Sequence, residues 1–239
     1  MKKILEKMGL NKIVGRAAVL RGQTDAQQRV PTILLTALSF VMFTALAAQA
    51  DENMAVVRYN ASPTNSLVTM DGTSTIHDWT VTSPLIGGYM EVAEGFPEAA
   101  LNNPAALKPD VHVIIPVRSL KSYATRMDEV MQEHLKMDQF SKIEYRVIEL
   151  KPKSPAGTTG KVEFEATGAL TVSGVTKTNV MPVTIEHVDG DKLKVTGSTK
   201  LKMTDFNVEP PAPKILGMPI IKTGDEIAIK FEWVVAPKK

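Results

Sequence analysis

The apolar positions of this chain fall mostly two residues apart. Between residues 161 and 185, Val162, Phe164, Ala166, Gly168, Leu170 and Val172 share one face, and Glu163, Glu165, Thr167, Ala169 and Thr171 share the other. Strict alternation puts one face on an apolar interior and the other in water, and so predicts a strand. Ser173-Gly174 supplies a two-residue turn, and a β-rich run over residues 175–185 returns from it. About eleven residues is long for a strand, where five or six is usual. Long amphipathic strands in series suit a closed barrel.

The same pattern continues on both sides. Residues 55–59 and 67–70 read as first strands, and residues 73–81 lead into a Pro/Gly stretch. Residues 96–109, with Pro97, Pro104 and Pro109, read as a loop with a turn of helix at most. Val111, Val113, Ile115 and Val117 alternate with His112, Ile114, Pro116 and Arg118, and Pro116 predicts an edge strand or a bulge there. Tyr123, Met127, Val130, Met131 and His134 recur at helical spacing, which predicts a helix over residues 125–137. Thr125 would cap it, and Asp128 in its first turn would favour the dipole.

Ile143, Tyr145 and Val147 restart the strands, and residues 151–160 form a turn region. Leu193, Val195, Gly197, Thr199, Leu201 and Met203 face one way, with Lys192, Lys194, Lys200 and Lys202 opposite. Residues 209–219 hold four prolines and read as a loop; Ile227, Ile229, Phe231, Trp233 and Val235 make a last strand. The expectation is an all-β, antiparallel barrel of about eight strands with one inserted α-helix. No internal repeat or low-complexity linker divides it.

The first fifty residues do not belong to that pattern. Seven basic residues precede residue 30, and residues 30–48 are uncharged and apolar before Ala48-Gln49-Ala50 and the acidic pair Asp51-Glu52. A basic start, an apolar run and an Ala-x-Ala site predict a secretory signal peptide over residues 1–50, followed by one domain over residues 51–239. The expected location is therefore periplasmic or otherwise exported. The alternative is an uncleaved anchor in the inner membrane formed by residues 30–48, a run just long enough to span a bilayer.

Removing that segment changes the charge. The whole chain has 28 basic and 26 acidic residues; without the first fifty it has 21 and 24, a net charge of −3. Such a product has no electrostatic footprint for nucleic acid. The chain has no cysteine, which excludes disulfide staples, thiol catalysis and thiolate metal sites.

Candidate chemistry is sparse. His77, His112, His134 and His187 are scattered without a metal-ligand spacing. Ser74, His77 and Asp78 crowd together, but a triad is defined by geometry rather than by proximity in sequence. No nucleophile elbow or phosphate-cradling loop is present. Glu163 and Glu165 lie on an outward face, and Asp128, Glu129 and Glu133 along a helix surface, so no pair of carboxylates lines a cleft. The expectation is a protein that is not an enzyme, with neither metal nor cofactor. What remains is the barrel interior, which eight strands can leave either filled or able to hold one small ligand. Small inward residues (Ala166, Gly168, Gly197 and Thr199) leave space, and Met-rich positions adapt to irregular apolar ligands.

Five segments, in order, carry a family resemblance. They are Ser74-Thr75-Ile76-His77-Asp78-Trp79; Val117-Arg118-Ser119-Leu120-Lys121-Ser122 with Arg126-Met127-Asp128 and Leu135-Lys136; Phe140-Ser141-Lys142-Ile143-Glu144-Tyr145; Ala166-Thr-Gly-Ala-Leu-Thr-Val-Ser-Gly-Val-Thr-Lys-Thr; and Leu201-Lys-Met-Thr-Asp-Phe-Asn-Val-Glu-Pro-Pro with Thr223-Gly224-Asp225-Glu226-Ile227. Together they resemble the YceI-like family over roughly residues 54–235, with Ser141 where proline is usual and Gln139 where a second aromatic is common. That resemblance implies an exported, eight-stranded lipocalin-like barrel that binds an isoprenoid lipid or quinone. Alternation and size then nominate Ile76, Trp79, Val113, Ile115, Phe164, Leu170, Phe231 and Trp233 as lining, with Met131, Phe140 and Tyr145 at its border; Trp79 could equally point outwards. A transient membrane contact and a homodimer are the other partners considered. The rival reading is a periplasmic interaction or stress-related scaffold whose barrel is filled by its own side chains.

Overall fold

The computed structural model describes residues 55–104, 107–212, 214–215, 218–219 and 221–238. The expected signal segment, and its alternative as an anchor, lie outside the described residues. Among the described residues no helix is long and apolar enough to cross a membrane. Along the chain run β1 (Val56–Ala61), β2 (Leu67–Ser74), β3 (Trp79–Ser83), β4 (Gly87–Ala93), α1 (Ala99–Asn102), β5 (Asp110–Pro116), α2 (Thr125–His134), β6 (Lys142–Pro152), β7 (Val162–Val172), β8 (Val175–Val188), β9 (Lys192–Lys202), β10 (Lys214–Ile215), β11 (Met218–Pro219) and β12 (Thr223–Pro237).

β1, β4, β5, β6, β7, β8, β9 and β12 pair antiparallel in that order, and β12 returns to β1, so the sheet closes into an eight-stranded barrel. The β7–β8 hairpin is in register from Val162↔Ile185 to Val172↔Val175. Ser173 (φ 49°) and Gly174 (φ 79°) form its turn, and two positive φ values are what a tight hairpin turn matching strand twist requires.

Two staves are broken. β1 and β2 run the same way along β12, and β3 and β4 run back beside them, so four short strands serve as two long ones. A break exposes backbone groups that must find other partners. At residues 62–66 Val234 provides them: its N–H donates to the buried Ser66 Oγ (3.1 Å) and its carbonyl accepts the Ser62 N–H (2.8 Å). At residues 84–86 the fully buried Ser83 hydroxyl accepts the Leu85 N–H (3.1 Å) and meets Ser119 Oγ at 2.7 Å.

Three local expectations are corrected. Pro116 ends β5, which lies between β4 and β6; it marks no edge, because its missing N–H falls where the ladder stops and a short 3₁₀ turn begins. Thr125 is the first helical residue of α2 rather than its cap, and the helix ends at His134. Asp128 anchors the start of α2 instead, accepting the Ser122 N–H (2.6 Å) and hydroxyl (2.8 Å). The proline-rich segment carries the small β10–β11 hairpin instead of being loop throughout.

One half of the barrel is solid. Val162, Phe164, Ile185, Leu193, Val195 and Val235 are buried there among Tyr59, Met90 and Val92. Phe96 stacks on Phe164 (centroids 5.5 Å apart), and Ala100 and Leu101 of α1 complete the plug. Glu98 approaches His187 of β8 at 3.6 Å across the same end.

Candidate binding cavity

The other half is hollow. The meander brings four connections to that end: the β2–β3 turn, the β5–β6 segment with α2, the β7–β8 turn and the long β9–β12 segment. Beneath them lies a cavity of about 530 Å³. Pockets for small molecules and cofactors span roughly 300–1,000 Å³. Its wall is Val113 and Ile115 of β5, Ile143 and Tyr145 of β6, Leu170 and Val172 of β7, Met181 of β8, Leu201 of β9, and Ile227, Ile229, Phe231 and Trp233 of β12. Met127, Val130, Met131 and His134 close it from α2, and Phe206 and Val208 from the β9–β12 segment.

Short polar ties hold this cover. The Ser173 hydroxyl, at the tip of the β7–β8 hairpin, donates to the Leu135 carbonyl at 2.9 Å. His134 Nδ1–H donates to the Glu209 carbonyl at 2.8 Å. Thr204 donates from its N–H (2.9 Å) and hydroxyl (2.7 Å) to the Asp225 carboxylate, and these bonds, the hydroxyl's foremost, hold that carboxyl below its ordinary pKa. At the root of α2, burial pushes the Asp128 carboxyl up. The Ser122 donors and the Lys121 ammonium at 3.5 Å outweigh that and leave it below its ordinary value.

Among the described residues the lining carries no carboxylate. Its charged side chains are Arg126, which pairs with Glu129 at 2.9 Å, and Lys202, while Ser74, His77 and Ile76 of the β2–β3 turn edge the mouth. Ser74 Oγ donates to the His77 carbonyl (2.7 Å) and accepts the His77 N–H (3.2 Å), and His77 Nδ1–H donates to the Asp78 carbonyl (2.8 Å). That cluster is a hydrogen-bonded turn, with its serine hydroxyl committed to backbone. Among the described residues no three His, Asp or Glu side chains gather as metal ligands.

Of the nominated residues, Ile76, Trp79, Val113, Ile115, Met131, Tyr145, Leu170, Phe231 and Trp233 stand on the cavity. Trp79 faces in, with its indole N–H donating to the Thr73 carbonyl at 3.2 Å. Two residues stand elsewhere. Phe164 belongs to the solid half, and Phe140 packs against Gly174, where a Cβ would fall 2.5 Å from its ring. The small inward residues also mean something different from open space. A Cβ on Gly197 would stand 2.6 Å from Phe231 Cζ, and one on Gly168 would stand 2.5 Å from Tyr145 Oη. Those glycines seat aromatic rings, Ala166 is packed in the core, and Thr199 alone of the four borders the cavity.

Ile143, Met181, Ile227, Ile229, Phe206 and Val208 were not nominated. Ile227 and Ile229 carry the same alternation as Phe231, so the period of two could have found them. Nothing local marks Phe206 and Val208, which enter from a connection.

Two solved structures share the architecture. BcnA of Burkholderia cenocepacia matches with TM-score 0.57 and 17% identity, covering 74% of this chain and 99% of that one. A polyisoprenoid binding domain from Saccharophagus degradans, implicated in plant cell wall breakdown, matches with TM-score 0.55 and 11% identity, covering 76% of this chain and 99% of that one. No curated protein sequence matches the chain. The YceI-like domain matches residues 59–235, which reaches into every barrel strand: the chain belongs to the YceI-like family.

Proposed function

We propose that this chain is an exported, non-enzymatic binding protein that holds an isoprenoid lipid or quinone inside its barrel. The observation that carries the proposal is the cavity of about 530 Å³ with an almost wholly apolar wall. Each five-carbon unit hidden there from water contributes roughly 4 kcal/mol gross, at about 0.8 kcal/mol per carbon. Ordering the chain and losing its free motion take back much of that. Affinity therefore rises with chain length until the cavity is full. So apolar a ligand reaches the mouth by transient contact with a membrane rather than through water. The likeness to the polyisoprenoid binding domain supports this choice of ligand.

A filled barrel acting only through its surface is the weaker reading, because one half of this barrel is not filled. Native mass spectrometry of protein purified gently from its source, with solvent extraction of any adduct, is the test. A stoichiometric isoprenoid adduct is the expected result, and the same spectrum distinguishes monomer from homodimer. An apo mass, together with no affinity of the delipidated protein for any prenyl chain length, would overturn the reading.

A further inference from the structure

The wall of the hollow half has a seam. β8 and β9 pair only from Val188↔Lys192 to Val183↔Gly197. From there toward the hollow end, residues 175–182 of β8 pair with β7 alone, and residues 198–202 of β9 with β12 alone. The adjoining ladders run on: β7–β8 is paired to its turn at Val172↔Val175, and β9–β12 to Glu226↔Lys202. Pro182 explains where the break begins. Its carbonyl faces β9, because a Cβ on Gly197 would stand 3.0 Å from that oxygen. A residue's N–H points to the same side of a strand as its C=O, so the donor that proline lacks is the one β9 would have used.

The seam opens onto the cavity. Asn179 and Met181 on its β8 lip, and Thr199 and Leu201 on its β9 lip, all line the hollow. Between Asn179 and Met181, Val180 points outwards as an exposed apolar side chain. A hydrocarbon chain crossing here meets apolar side chains on both faces of β8. One side-chain hydrogen bond spans the seam: Asn179 Nδ2 donates to Thr199 Oγ1 at 3.2 Å. The edge of β3, by contrast, is fastened through backbone, where Thr82 and Lys121 exchange two N–H···O bonds of 2.8 Å. A single neutral side-chain bond is a light fastening, and local openings are drawn from such weakly held places.

Resting on the apolar ligand proposed above, the geometry points to a lateral portal: the seam between β8 and β9, latched by Asn179 and Thr199, is where the ligand enters and leaves the cavity. A flexible chain slides sideways between two strands that already lack ladder pairing, instead of being drawn end-on past α2. β9 runs beyond Lys202 directly into the 3₁₀ turn Met203–Phe206 and the covering segment, so the latch and the cover lie on one stretch of chain.

Because the chain has no cysteine, the seam can be closed covalently and selectively. Asn179→Cys/Thr199→Cys places a disulfide across it. Thr171→Cys/Thr176→Cys is the control: those hydroxyls meet at 2.8 Å across the paired β7–β8 ladder, outside the lining. Each delipidated variant is loaded with a prenyl quinone, oxidised or kept reduced, and mixed with excess phosphatidylcholine vesicles. Trp79 and Trp233 line the cavity, so stopped-flow tryptophan fluorescence follows the exchange. The expected result is that the seam variant loses exchange on the stopped-flow timescale when oxidised and regains it on reduction, while the control exchanges alike in both states. Thr199→Val, which removes the latch without a cross-link, should speed exchange about fivefold, the weight of one hydrogen bond. Equal rates for the oxidised and reduced seam variant, or no acceleration in Thr199→Val, would overturn the portal and leave the isoprenoid reading standing, with passage beneath α2. The same redox dependence in the control would overturn it too, as a general effect of cross-linking. Failure of the parent protein to load the quinone would overturn both readings.

Discussion

The ring of Tyr145 lies across Gly168 on the neighbouring strand, so that a Cβ on the glycine would fall 2.5 Å from the tyrosine Oη. The glycine is therefore part of the cavity wall's design: it lowers one strand enough for an aromatic ring from the next to lie flat.

Gly168→Ala accordingly forces the Tyr145 ring off its seat. Overpacking of this kind costs about 1–3 kcal/mol. Chemical denaturation should show that loss, and the double variant Gly168→Ala/Tyr145→Ala should cost less than the sum of its parts, because the clash is gone.

Filling the cavity should separate binding from folding. Leu170→Trp projects a larger side chain into empty space rather than into packed core. Thermal unfolding is expected to stay within about 1 kcal/mol of the parent, since nothing is displaced. Prenyl affinity should fall by at least about tenfold as apolar contact is lost. Native mass spectrometry with added prenyl quinone provides the check.

His134 ties α2 to the β9–β12 segment through the Glu209 carbonyl. His134→Ala removes a hydrogen bond worth about 1 kcal/mol, and so should speed ligand release about fivefold. Stopped-flow exchange into excess vesicles measures it, with far-UV circular dichroism unchanged.

Asp128 gives the cover a pH dependence of definite sign. Its folded pKa lies below the ordinary value of 3.8, so the unfolded state takes up protons first as the solution is acidified. The stabilisation is complete well above pH 3.8 and is lost as pH falls through the lower, folded value. Asp128→Asn should cost about 1–3 kcal/mol at neutral pH by weakening bonds to Ser122, and should flatten the stability profile in acid. Urea unfolding at a series of pH values reads both effects.

How much of this was legible in the sequence depended on distance along the chain. The β7–β8 hairpin was readable because a period of two and a two-residue turn are local. Depth within the barrel was not. Phe164 and Leu170 share one face of one strand, yet the first is 1% exposed in the solid half and the second lines the hollow one. Strand tilt and the plug of Phe96 and α1 decide that, and both are set by residues far away. Gly168 and Gly197 looked like gaps for the same reason: the rings that occupy them come from other strands. The broken staves escaped notice because Ser66 and Ser83 replace ladder bonds with side-chain ones, which a search for alternating apolar residues cannot see.

The alternation of the meander sorts the chain's variable parts from its foundation. Every connection that edges the hollow lies at one end, and the stacked Phe96–Phe164 pair lies at the other. Sequence change in the β2–β3 turn, in α2 or in the β9–β12 segment can therefore reshape which cargo is admitted while the lower storey keeps the molecule folded. Relatives diverging in diet rather than in architecture should differ mainly around the rim.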